Sequence, residues 1–209
     1  MILLWSMLAT ASAPPAPMIL ATPSNAGQWI RDDDYPHEAL RENRKGVVGY
    51  RIVVTPTGLP QSCSIVSGSF DDFNQATCAM VLKRSRFVPA ADDQGQPIYS
   101  AYSDRFVWTI PGSGFVPPPK IPDIEVVLNK LPGDRRKELV VEVILLFDSE
   151  GKILKCRAER NKNLTVFGDL ACQQAMTLPT PTPVVDGAGQ PVRWLERFTV
   201  SFSASPSSH

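Results

Sequence analysis

The stretch Gly46-Val47-Val48-Gly49-Tyr50-Arg51-Ile52-Val53-Val54-Thr55-Pro56-Thr57-Gly58-Leu59-Pro60-Gln61-Ser62-Cys63 has a counterpart later in the chain, Val141-Glu142-Val143-Ile144-Leu145-Leu146-Phe147-Asp148-Ser149-Glu150-Gly151-Lys152-Ile153-Leu154-Lys155-Cys156. Gly58 and Cys63 recur as Gly151 and Cys156 at equal separation. After a one-residue insertion, Cys78 and Gly95 recur as Cys172 and Gly189, Pro89 and Asp92 as Pro183 and Asp186, and Gly95-Gln96-Pro97 as Gly189-Gln190-Pro191. Glycine, proline and cysteine are the residues least exchangeable by chance. A repeat this long exceeds a solenoid unit and reads as a duplicated small domain.

Within each copy the pattern is that of a hairpin covered by a helix. Val48, Tyr50, Ile52 and Val54 share one strand face, with Gly49 and Arg51 on the other, and Val141, Val143, Leu145 and Phe147 repeat that face. Turns at Thr55-Pro56-Thr57-Gly58 and Asp148-Ser149-Glu150-Gly151 lead into second strands over residues 61–67 and 153–158. Asp71 or Asp72 can cap a helix running to about Lys83, with Phe73, Ala76, Thr77, Met80 and Val81 as its apolar stripe. The equivalent helix, near residues 169–176, is ended by Pro179, Pro181 and Pro183. Long closing strands follow over residues 98–110 and 192–202, with Phe106, Trp108, Ile110, Val200 and Phe202 facing inward. A short helix over residues 35–45 leads into the first copy, with Pro36 in its first turn and Gly46 as its stop. Residues 124–131 are expected to supply the lead-in helix of the second.

The predicted fold class is therefore α+β: two tandem small domains, each a helix–strand–strand–helix–strand unit with an antiparallel sheet covered by helix. The expected boundaries are an export signal and Pro/Ala-rich spacer over 1–27, a first domain over 28–110, a Pro-rich linker over 111–123, a second, degenerate domain over 124–203 and a disordered tail over 204–209. Each domain has a core only just sufficient for its size.

The four cysteines are not spaced as zinc or thioredoxin-type pairs. Four cysteines allow three pairings, and the duplication selects Cys63 with Cys78 and Cys156 with Cys172. Paired cysteines fit an exported chain. The apolar run over residues 2–8, followed by Ala9, Ala11 and Ala13, has the length of a secretory h-region and is short of a membrane span. A retained short anchor and a cytosolic protein stand as alternatives, because no Lys or Arg precedes the run and Pro14 follows Ala13. Cleavage after Ala26 is a second option.

The 21 basic and 21 acidic residues cancel, and no basic stripe points to nucleic acid. Asp32-Asp33-Asp34 reads as a solvated helix start, not a metal site. The histidines, His37 and His209, have no partners for nucleophilic catalysis, and neither a phosphate loop nor zinc spacing is present. The sequence therefore points to no enzyme, no catalytic residues, no metal and no cofactor.

The first copy carries an ordered set of short motifs: Tyr35-Pro36-His37-Glu38-Ala39, then Gly46-Val47-Val48, Gly58, the run Cys63, Ile65, Ser67, Gly68, and Arg86-Phe87-Val88-Pro89-Ala90 after the helix. In this order they resemble the C-terminal domain of the TonB family of energy transducers, over about residues 33–110. The second copy resembles it only through the repeat. The resemblance implies a periplasmic domain that grips outer-membrane TonB-dependent receptors by adding an extended receptor segment to its sheet. It does not imply force transduction by this chain, whose spacer from Pro14 to Asp32 is too short to cross a periplasm. The implied binding strand is the last one of the first copy, with Tyr99, Ala101, Ser103, Arg105 and Val107 on one face and an unpaired edge. Gln28 and Trp29 are expected to help grip the peptide. Coverage of that edge by the second copy is the competing expectation, and an envelope adaptor that binds other proteins or itself through sheet edges is the alternative function.

Overall fold

The computed structural model describes residues 16–129, 131, 138–159 and 165–205. The apolar run, Ala9, Ala11 and Ala13 on which the export reading rests, and His209, lie outside the described residues. In chain order the elements are β1 (Thr22–Pro23), α1 (His37–Arg41), β2 (Gly46–Val54), β3 (Pro60–Gly68), α2 (Asp71–Arg84), β4 (Phe87–Val88), β5 (Ala90–Ala91), β6 (Pro97–Trp108), β7 (Ile124–Leu128), β8 (Glu138–Phe147), β9 (Ile153–Ala158), α3 (Thr165–Ala175) and β10 (Trp194–Ala204).

The period-two runs form the expected hairpins, β2 with β3 and β8 with β9, both antiparallel. The repeated glycines have a common cause. Gly58 and Gly151 both sit at positive φ (80° and 87°), and a Cβ there would come within 2.2 Å of the Phe87 carbonyl oxygen and 2.8 Å of the Pro181 carbonyl oxygen. Only glycine combines that backbone with that close approach. The repeated aspartates are also explained: Asp92 Oδ1 accepts the Gln94 and Gln96 amides, and Asp186 Oδ1 those of Ala188 and Gln190, which fixes the two Gly-Gln-Pro turns.

The copies do not sit side by side as separate sheets. One eight-stranded sheet runs through both, in the order β3-β2-β6-β10-β8-β9, with β5 on β6 and β7 on β10. The junction is a short parallel pairing of β6 with β10, Tyr99↔Trp194 to Ala101↔Glu196. By the repeat, Tyr99 corresponds to Arg193, yet it pairs with Trp194. That offset of one residue puts equivalent side chains on opposite faces. Accordingly Val81 of α2 packs with Ile52 and Val54 on one face, while α3 packs with Val143, Leu145, Trp194 and Phe202 on the other. Each cluster also draws on the other copy: Ile144, Leu146 and Leu195 enter the first, Val53 and Ala101 the second. The strands at the junction are thereby buried on both faces.

Three expectations change. Residues 124–128 form a strand, not a helix, because Ile124, Val126 and Leu128 alternate with Glu125 and Val127 at the period of a strand. Among the described residues the second copy has no lead-in helix, and β7 runs parallel to β10 instead. Helix α1 ends before Gly46: Asn43 takes the left-handed conformation (φ 52°), and Gly46 opens β2. The segment read as spacer enters the fold. Met18, Leu20 and Ala21 are buried in the first core, Ile19 bridges Ala91 and β1 pairs with β4. Three apolar side chains laid against an existing apolar floor are better buried there than left in water.

The disulfides Cys63–Cys78 and Cys156–Cys172 are formed, each stapling the outer strand of a hairpin to its covering helix. Each closes a loop with a sequence separation of 15 or 16 residues, worth about 3 kcal/mol in the chain-entropy model. Paired replacement Cys63→Ser/Cys78→Ser is expected to lower the unfolding free energy by about that amount in denaturant titration. An unchanged midpoint would contradict it.

Candidate functional site

Strand β6 has two halves with different surroundings. On its β2 side the ladder is continuous, Gly46↔Trp108 to Val54↔Ser100, with no register shift. On its other side β10 pairs with residues 99–101 and then leaves: from Val200 onward β10 takes β7 as its neighbour, Val200↔Ile124 to Ala204↔Leu128. The sheet forks there. Among the described residues, no strand pairs with the outward side of residues 102–108.

That half-edge is held rigidly. Trp108 stacks on Phe73 with ring centroids 5.2 Å apart, and its Nε1 donates to Thr77 Oγ1 at 3.0 Å. Tyr35 of the Tyr-Pro motif packs edge-on against both rings and donates its hydroxyl to the Arg44 carbonyl, so this motif is a packing device. Tyr102 donates to Asp104 Oδ2 at 3.1 Å, and burial pushes its phenol well up, so it remains a neutral donor.

The outer edges of the sheet are less inviting. β3 is bulged twice, between Gly49/Tyr50 and Val53/Val54 of its partner, which leaves Val66 and Gln61 out of the ladder. β9 is bulged opposite Leu146/Phe147 and carries Lys155 and Arg157. Bulges and edge charges both discourage strand addition. Of these three edges, the half-edge of β6 is the one with neither a bulge nor a register shift.

The expected site residues therefore divide. Ser103 is exposed and Arg105 and Val107 are half-buried, all on the free half. Tyr99 and Ala101 belong to the half paired with β10, and Ala101 is buried, so the competing expectation holds for them. Gln28 is exposed, but Trp29 is only 3% exposed. It packs against Phe87 and Tyr102, and its Nε1 donates to Asn25 Oδ1 at 2.7 Å. Trp29 is core, not a gripping residue, because the N-terminal segment folds back over β4 and β5 and encloses it. Asp34 is likewise not merely solvated: it accepts two bonds from Arg84, whose guanidinium holds its carboxyl below the usual carboxylate range.

Two features had no signal in the sequence. The first joins the copies across the face that the β2 pattern assigns to solvent. Arg51 Nε and Nη2 donate to Glu196 Oε1 and Oε2, both at 2.7 Å, diagonally across β6, where Arg51 pairs with Ser103 and Glu196 with Ala101. Trp194 Nε1 adds a third bond to Glu196 at 3.1 Å. The second is the path of the linker. Arg105 donates to the Pro118 carbonyl, Lys120 pairs with Asp104 at 2.9 Å, and Asp123 exchanges bonds with Thr199 at the fork. Among the described residues no helix is long and apolar enough to cross a membrane, and no group of three or more His, Cys, Asp or Glu side chains is placed to hold a metal.

What the geometry of the first copy offers is a strand edge that is left unpaired over half its length. Residues 32–110 match the family model described as Gram-negative bacterial TonB protein C-terminal, and the match supports a TonB C-terminal domain over this part of the chain. No curated protein matches the chain, and no solved structure matches it.

Proposed function

We propose that this is a non-enzymatic periplasmic protein of the TonB type, which binds an extended segment of an outer-membrane transport receptor by adding it as a strand to residues 102–108 of β6. The observation that carries this reading is the free half of β6, straight, unbulged and backed by the Trp108–Phe73 stack. The family match over residues 32–110 supports the ligand class and the compartment, and two disulfides suit an exported chain. We read residues 124–203 as a degenerate second domain of the same kind, whose β10 occupies part of the edge that a receptor segment would otherwise fill. Ser103, Arg105 and Val107 are the contact residues in this reading. The β10–β6 pairing favours one alternative, an envelope adaptor in which the fold serves other protein partners without energy transduction.

Val107→Pro is expected to weaken binding of a receptor-segment peptide at least tenfold with little change in melting midpoint, provided that its N–H points away from β2. Consecutive residues of a strand point their N–H groups to opposite edges, so Asp104→Pro is the variant of opposite parity. Whichever of the two keeps its melting midpoint should lose binding in titration. A stable proline variant that binds as well as wild type would sink the proposal.

A further inference from the structure

We infer that the linker segment Pro117-Pro118-Pro119-Lys120-Ile121-Pro122 is a displaceable strap that occupies the strand-acceptor edge of β6 until a partner segment takes its place. This inference rests on the reading of β6 as a strand acceptor. Asp104 and Arg105 are consecutive on β6, so their side chains leave from opposite faces of the sheet. Both reach the linker: Lys120 Nζ lies 2.9 Å from Asp104 Oδ1, and Arg105 Nη1 donates to the Pro118 carbonyl. A segment gripped from both faces at once lies across the edge between them. The fork holds it there, since Asp123 just past its end is fixed to Thr199, which lies on β10 between the residues paired with β6 and those paired with β7.

The strap covers the edge without completing it. Pro117, Pro118, Pro119 and Pro122 have no N–H to give, and no backbone hydrogen bond joins the segment to β6 among the described residues. An incoming segment of ordinary residues makes that ladder and displaces only side-chain contacts. One of these, the Lys120–Asp104 pair, is largely solvent-exposed on the lysine side and correspondingly weak. Val116 beside the strap and Ile121 within it are more than 80% exposed, so little apolar burial opposes release. The linker thereby shields a sticky edge from unspecific pairing and competes with the specific partner.

The test uses the folded chain and a labelled synthetic peptide with the periplasmic N-terminal segment of an outer-membrane transport receptor from the same cell. Lys120→Gln, which leaves β6 untouched, is expected to bind this peptide about two- to fivefold tighter at low salt. The gain should fade as salt screens the pair in wild type. Adding peptide to the wild-type protein should speed tryptic cleavage after Lys120, as Asp104→Asn should without peptide. Equal affinities and unchanged cleavage, with binding still lost in the stable proline variant of β6, would overturn the strap and leave strand addition standing. Binding that survives the proline, or no binding by any of these proteins, would overturn both.

Discussion

Glu196→Ala is expected to lower the unfolding free energy by about 3–5 kcal/mol, because it leaves the Arg51 guanidinium without its partner in a site largely closed to water. The Arg51 side chain is 23% exposed and that of Glu196 9%. Burial alone acts against the arginine's charge, and the hydrogen bonds and charge of Glu196 more than offset it. Trp194 would lose its acceptor as well. The loss should be cooperative across both copies, since the pair ties β2 to β10 and each copy's core borrows side chains from the other. Replacing both partners by apolar residues, Arg51→Met with Glu196→Leu, should recover most of the stability, as no charge is then left buried alone. Chemical denaturation followed by tryptophan fluorescence measures both. A loss below about 1 kcal/mol for Glu196→Ala would place the pair with ordinary surface ion pairs.

Leu20→Ala should cost about 2–5 kcal/mol, the usual range for emptying a buried leucine site. Leu20 is joined by Met18, Ala21 and Trp29 in the core under α2. A chain beginning at Gly27 should therefore melt well below one beginning at Ala16, and Trp29 should become accessible to quenchers in the shorter chain only. Equal melting of the two would mean that the segment adheres without stabilising. The comparison also bears on processing: cleavage after Ala26 would discard Met18, Leu20 and Ala21, whereas cleavage after Ala13 would keep them.

Local structure in this chain was legible wherever a periodicity had a single interpretation. The alternation in β2 and β8, the Gly58 and Gly151 turns and the α2 stripe all lie where expected, and the repeat picked the disulfide pairs. Residues 124–128 were misread by analogy with the first copy, although their own alternation already spelled a strand. The site was legible in part. The family resemblance pointed to β6, but nothing in the sequence could say that β10 covers Tyr99 and Ala101, because a parallel pairing of three residues leaves no mark on composition. Arg51 and Glu196 lie 145 residues apart, and the alternation of β2 alone puts Arg51 on a solvent face. Trp29 stood in a Pro- and Ala-rich neighbourhood that resembles a spacer, and only the fold shows that Phe87 and Tyr102 await it.

The most direct measurement is residue-resolved hydrogen exchange of the intact chain with and without the receptor-segment peptide. Strand addition to β6 predicts new protection at alternate amides of residues 102–108, with β3 and β9 unchanged. Protection that appears at β3 or β9 instead, or binding that protects no amide of β6, would contradict it.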